Sequence, residues 1–311
     1  MTVFEILREA IERGIEHDFR PRSEVLSYYW KETIESPGGG SFENPYADTG
    51  VVYAANLDLP VRRIAAGIDV GQAEILSIHE WQEDMKKPVD CFVSHHPRGK
   101  ILGSFPHILK TQIGNLEALG VSMKGMEHSY DKQFKEDQEE MRDMNIYRTK
   151  NTIELLGLNY ISLHTPLDNM GARFVESWIA KSRAKTLEEC EHALMEIPEY
   201  RMFFEESGIK PVSHVGKGSS PLGRCILSEF TGGEDGPIEI YQRMKKSGVS
   251  TIIVMHIDEK ALRAARKVHL NVISAGHITS DAIGLNLFCD VLEKKGIEVV
   301  PIGGFIRHRR G

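Results

Sequence analysis

The sequence predicts a layered α/β protein with mainly parallel strands, organised as two similar halves. Three observations carry this. From residue 60 onward short β-prone runs alternate with helical stretches, the rhythm of strand-helix-strand units. Similar polar residues close the strand-like runs in both halves. A chain of 311 residues with 41% apolar and 27% charged content is long enough for one large domain or two lobes with a substantial core.

Taken in order, MTVFEILREAIERGIEHD (1–18) reads as an acidic amphipathic helix, unlike a signal peptide. SEVLSYYWKETIES (23–36) reads as a second helix, and PGGGSFENPYADTG (37–50) as a breaker-rich loop. VRRIAAGID (61–69) is a strand, GQAEILSIHEWQEDMKK (71–87) a helix, and VDCFVSHHP (89–97) a strand ending at paired histidines. Residues 106–158 read as a helical insert whose charge run a solvated face explains. NYISLHTPLD (159–168) is a short strand running into a polar turn, and 172–210 is helical, with Thr186 ahead of Glu188 and Glu189 as a helix start. HVGKGSSPLGR (214–224) lacks the order of a P-loop and reads as a flexible connection.

The rhythm then returns. GRCILSEF (223–230) is a strand, GPIEIYQRMKKSG (236–248) a helix, VSTIIVMHID (249–258) a strand and EKALRAARKVH (259–269) a helix. LNVISAGHITSD (270–281) is a strand and turn, AIGLNLFCDVLEKKG (282–296) a helix, and IEVVPIG (297–303) the last strand. The expected division is a first α/β lobe over 1–180 that carries the insert, a helical connection over 181–210, and a second α/β lobe over 211–311.

Composition narrows the function. A net charge of −7 argues against a broad grip on nucleic acid, which rests on neutralising phosphates. The four cysteines, Cys91, Cys190, Cys225 and Cys289, show no CxxC spacing, and Cys91, Cys225 and Cys289, which sit in apolar runs, are expected to be reduced core residues. No run is long and apolar enough for a membrane helix, and a cytoplasmic location is expected.

The candidate site follows from a repeat. Asp69 closes one strand and His95 the next, 26 residues on; Glu229 and His256 do the same 27 residues apart. NYISLHTPLD and NVISAGHITSD share Asn-x-Ile-Ser and set His164 four residues before Asp168, and His277 four before Asp281. Lobes that deliver such residues from the carboxyl ends of their strands place them around one crevice. Imidazole with carboxylate suits Zn, Mn, Fe, Co or Ni. Neighbouring strand residues point to opposite faces, so His95 and His96 are better placed to serve two ions than to clasp one.

GIDV, SHHP, HTPLD and AGHITSD, in this order over residues 44–303, resemble the NIF-three-like family of dinuclear metal proteins, some of which are labelled GTP cyclohydrolase I type 2 homologues. The resemblance implies two similar three-layer α/β/α lobes with a metal site in the cleft between them, often assembled as a homohexamer. It implies His95, His96, Asp168, His277 and Asp281 as ligands of one or two divalent ions. Asp281 stands where the family has Glu, and His256 where it tends to carry a Gly-Asp pair. In HHPRGK, where the family usually continues with apolar residues, Arg98 and Lys100 are candidates to meet a substrate phosphate.

The leading functional expectation is a metal-dependent hydrolase of a small nucleotide-like or phosphorylated substrate. It would use a metal-bound hydroxide, with His164 as orienter or proton shuttle; ring opening of GTP would fit the family label. The alternative is a non-catalytic metal-binding chaperone or regulatory scaffold. Nucleic-acid binding by a ring-shaped oligomer is disfavoured by the acidic balance.

Overall fold

The computed structural model of the chain describes residues 1–231 and 236–310; of the expected second lobe, 232–235 and 311 lie outside the described residues. Its strands are β1 (Glu32–Glu35), β2 (Ser41–Asn44), β3 (Gly50–Tyr53), β4 (Arg63–Gly67), β5 (Cys91–Ser94), β6 (Tyr160–Ser162), β7 (Val212–Val215), β8 (Cys225–Leu227), β9 (Thr251–Val254), β10 (Asn271–Ser274) and β11 (Glu298–Ile302). One sheet has the order β11-β4-β5-β6-β3 and the other β7-β10-β9-β8. Within the first, β3 alone runs antiparallel, against β6; within the second, β7 does so against β10. The repeat seen in the sequence is therefore a repeat of topology: β3, β4, β5 and β6 have their counterparts in β7, β8, β9 and β10.

Two long helices lie between the sheets and belong to both. Thr165–Ser182 and His277–Lys294 follow β6 and β10 at equivalent places. Leu167, Met170, Leu285 and Phe288 are buried with the first sheet, while Ala172, Val175 and Ile283 are buried with the second. The helices cross at Gly171 and Gly284, each three residues after the aspartate of its own His-x-x-x-Asp pair. A Cβ at Gly284 would stand 2.1 Å from the Leu167 carbonyl oxygen, and one at Gly171 would stand 3.2 Å from the Gly284 nitrogen. Only glycine lets two backbones approach so closely, and that approach brings Asp168 and Asp281 together.

Several elements differ from the sequence reading. The helix expected over 23–36 stops after one turn, Arg22–Leu26, and β1 and β2 then form an antiparallel hairpin. Its reversal uses Gly39 and Gly40 at φ 91° and 125°, so the glycine cluster turns the chain back on itself and β2 lies inside the expected loop. The polar turns expected at 164–168 and 277–281 are the first turns of the two central helices. Pro166 suits such a place because a first-turn residue needs no intrahelical N–H partner, and the Leu167 and Asp168 amides already donate to the His164 carbonyl. The last strand, expected with the second lobe, pairs in parallel with β4 in the first sheet, which returns the end of the chain to the lobe where it began.

The first part of the insert is built against the second sheet, whereas its last helix, Tyr147–Leu155, buries Ile153 in the core of the first. Leu109, Leu116, Val121, Met123, Met126 and Tyr130 share a core with Ile226, Ile252 and Val272, and the Arg224 guanidinium ties the Leu119 carbonyl to this lobe. Beyond Tyr130 the helix Glu127–Arg142 buries no further side chain and runs on toward the cleft. Thr186 caps the next helix as expected, accepting from the Glu189 amide at 3.3 Å. Cys91, Cys190 and Cys289 are buried thiols and Cys225 is partly buried, all of them free. No helix among the described residues is long and apolar enough to cross a membrane.

Candidate metal centre

The strand ends assemble one cluster. His95 and His96 follow β5, His164 and Asp168 open one central helix, and His277 and Asp281 open the other. Four residues is about one helical turn, so each His-x-x-x-Asp pair lies on one helix face. His95 is fully buried, with Nε2 at 3.1 Å from Asp168 Oδ1 and 3.5 Å from Asp281 Oδ1. His96 Nε2 lies 3.2 Å from Asp281 Oδ2, and His277 Nε2 lies 3.4 Å from the same oxygen. Asp281 thus turns one oxygen toward His95 and the other toward His96 and His277. All five residues expected as ligands meet here.

The donor set fits a cation. His95 Nε2, Asp168 Oδ1 and Asp281 Oδ1 are buried and make no hydrogen bond among the described residues, although the imidazole is close to both carboxylates. Each polar atom left unmet costs about 1–3 kcal/mol, and a cation shared among them would satisfy all three. His95, His96 and His164 form a second group of potential donors and His96, His277 and Asp281 a third, with the candidate atoms of each group within 4.8 Å of one another. The buried His/Asp cluster could hold a metal ion.

Electrostatics point the same way. Burial disfavours a charged His95, yet Asp168 and Asp281 outweigh it and hold its pKa well above the ordinary histidine value. Burial also opposes a charged Asp281, but His95, His96 and His277 hold its pKa far below the carboxylate range. The pocket therefore stabilises positive charge at the place where the two carboxylates converge. His277 titrates below its usual value, first because it is buried, with Asp281 opposing and His256 adding to the shift.

The surrounding residues hold the donors in place. His95 Nδ1 is 3.1 Å from the Leu163 carbonyl, which as an acceptor requires the proton on Nδ1 and leaves Nε2 for the cluster. His96 Nδ1 is 2.9 Å from Asp69 Oδ1. His164, expected as orienter or proton shuttle, has Nδ1 at 2.7 Å from Asp48 Oδ2, an oxygen that also accepts from Thr165 Oγ1 at 2.6 Å. Sequence reading passed over Asp48 and left Asp69 outside the site. Asp69 was visible as the strand-end partner of Glu229 in the repeat, whereas Asp48 lies 116 residues from His164 and only the pairing of β3 with β6 brings them together.

A cavity of about 370 Å³ opens onto the cluster, lined by His96, His164, Asp168, His277 and Asp281 on its polar side. Leu102, Phe105, Met141, Met144 and Met255 supply an apolar wall, with the first two methionines contributed by the insert. Glu229 and His256 also line it, and the His256 ring stacks on His277 at 4.9 Å between centroids. Glu229 has φ 62°, a left-handed conformation that costs a non-glycine residue about 1–3 kcal/mol.

The two basic candidates separate. Arg98 lines the cavity and pairs with Asp69 at 2.8 Å. Lys100 does not line it; its Nζ is 2.6 Å from Glu32 on the hairpin, the lysine exposed and the glutamate partly so. Lys100→Ala is therefore expected to leave metal content unchanged and to move the melting temperature little, as exposed pairs contribute about 0–1 kcal/mol. Calorimetry and metal analysis of that variant check both.

Fold and site together define a two-lobed α/β protein with a candidate metal-binding cleft between its sheets. Among solved structures it is similar to a NIF3 superfamily protein from Sphaerobacter thermophilus, with 24% identity over 96% of this chain and 98% of that one and a TM-score of 0.73. A protein from Thermus thermophilus matches across the whole of both chains at 13% identity and a TM-score of 0.51. Reduced HcgD from Methanocaldococcus jannaschii matches over 81% of this chain and 88% of its own, at 14% identity and a TM-score of 0.50. No family model and no curated protein matches the sequence. The chain shares the fold of that Sphaerobacter thermophilus protein.

Proposed function

We propose that the protein is a metal-dependent hydrolase of a small, phosphorylated or nucleotide-like substrate, with two adjacent cation positions that share Asp281. The observation that carries this reading is the set of buried, unbonded donor atoms on His95, Asp168 and Asp281, two residues of which, Asp168 and Asp281, line an open cavity. One position would use His95, Asp168 and Asp281, the other His96, His277 and Asp281. A divalent cation, when bound, supplies Lewis acidity toward a substrate oxygen or a water.

The protein's own groups divide the remaining work. Burial disfavours a charged His164, but Asp168 and Asp48 overcome it and raise its pKa, which makes it a better proton acceptor. The contact with Asp48 fixes which nitrogen carries the proton in the resting ring, leaving Nε2 to take one and later return it. Leu102, Phe105, Met141 and Met144 form the apolar wall of the cavity and limit water beside the donors.

The test is a panel of phosphomonoesters, phosphodiesters and nucleotides offered to protein reconstituted with Mn or Zn. Turnover that requires metal and falls at least about 100-fold in His164→Ala, within the range of general acid-base contributions, is the expected result. Firm metal binding with no turnover of any member of the panel would replace the hydrolase by a metal-binding scaffold.

A further inference from the structure

Beside the metal cavity is a second one of about 260 Å³, and the two share Arg98 and Leu102. The start of the helix Gln72–Met85, residues after the paired histidines, and segment 145–149 of the insert line it. Its charged lining consists of Arg98 and Arg148; no Asp or Glu among the described residues lines it. Two guanidinium groups on one cavity without an acid run against the balance of a chain with net charge −7.

Both groups are aimed by fixed partners. Arg148 Nε donates to Gln72 Oε1 at 3.1 Å, Gln72 Nε2 donates to Thr152 Oγ1 at 3.0 Å, and Thr152 Oγ1 donates to the Arg148 carbonyl at 3.2 Å. These partners are neutral, so they orient the Arg148 guanidinium without cancelling its charge. Arg98 donates from Nε to the Val70 carbonyl at 3.3 Å and from Nη2 to Asp69 Oδ1 at 2.8 Å. That same oxygen meets His96 Nδ1, so one carboxylate ties the arginine to a candidate metal donor.

We propose that the second cavity is an anion subsite, taking a phosphate or carboxylate group between Arg98 and Arg148 on a ligand whose other end reaches the metal donors. Guanidinium groups suit this task because their N–H fork matches both anions bidentately. The inference rests on the reading of the His/Asp cluster as the reacting end and adds the chemistry of the other. The insert gives Met141 and Met144 to the first cavity and Arg148 to the second, so one segment selects ligands by shape at one point and by charge at another.

The test titrates the full-length, metal-reconstituted protein with phosphonoacetate, inorganic phosphate and succinate by calorimetry. Arg148→Gln is expected to weaken phosphonoacetate about tenfold or more, the effect of one lost charge-assisted hydrogen bond, with metal content and melting temperature unchanged. Arg148→Lys should recover part of the binding. The phosphate and succinate arms show which anion the subsite prefers. Equal binding by wild type and Arg148→Gln, or no binding of any of the three by wild type, overturns the subsite. Failure of the metal reading would appear separately, as full retention of metal when His95 and His96 are replaced by Ala.

Discussion

Asp281→Asn should cost the protein most of its bound divalent metal, and more than Asp168→Asn does. Asp281 faces His95 through one oxygen and both His96 and His277 through the other, so its loss weakens both proposed cation positions, whereas Asp168 serves one. Replacing an outer partner of a ligand typically costs about 10–100-fold in metal affinity. Asp69→Asn, which disturbs His96 only through Nδ1, should fall in that range, and Asp281→Asn should exceed it. Metal per chain after dialysis against a competing chelator measures all three. Protons should compete with the metal: Asp168 and Asp281 raise the pKa of His95, so its site holds a proton more readily than free histidine, and occupancy should fall as pH drops through that raised pKa. Equal metal loss in Asp281→Asn and Asp168→Asn would remove the shared carboxylate from the proposal.

What the sequence made legible was the part whose signal is local. Strand-helix alternation and the two His-x-x-x-Asp pairs are visible within windows of a dozen residues, and they put Asp168, His277 and Asp281 forward as candidates, which the family resemblance then implied as ligands. The paired histidines were legible as a strand end. Their side chains, expected on opposite faces, instead stand with ring centroids 5.5 Å apart on one cleft, because they lie just beyond β5 where alternation no longer holds. Long-range pairing stayed hidden. Nothing near Glu298 announces that β11 will join Arg63 across the whole chain, and nothing near Asp48 announces His164. The hairpin of β1 and β2 was misread because Leu26, Trp30 and Ile34 recur every four residues, a helical interval, although only Ile34 lies in a strand, and tertiary contacts decide: the Tyr28 hydroxyl donates to the His107 carbonyl of the insert at 2.7 Å. The arginines illustrate the same limit. Arg98 and Lys100 are alike in sequence, yet one turns to Asp69 and the cavity while the other turns to Glu32.

Gly284→Ala should be among the most damaging single substitutions in the chain, against the direction that helix propensity gives. Alanine in place of glycine inside a helix ordinarily gains about 1 kcal/mol, and Gly284 lies well within His277–Lys294. The added Cβ, however, would stand 2.1 Å from the Leu167 carbonyl oxygen and 2.7 Å from its carbon. Those are backbone atoms of the opposite central helix and cannot rotate aside. The helices must separate, and overpacking of a close-packed interior costs about 1–3 kcal/mol, so a drop in melting temperature of about 2–5 °C is expected. Gly171→Ala is the graded control, since its nearest contact of 3.2 Å asks for only a small displacement and should cost less. The separation also has a chemical readout. Asp168 directly follows Leu167, and Asp281 lies one turn before Gly284, so pushing the helices apart pulls the two carboxylates away from His95. Folded Gly284→Ala should therefore bind metal more weakly than Gly171→Ala, although neither glycine offers a ligand. A Gly284→Ala protein that melts higher than wild type and keeps its metal would show that the close crossing does not set the geometry of the centre.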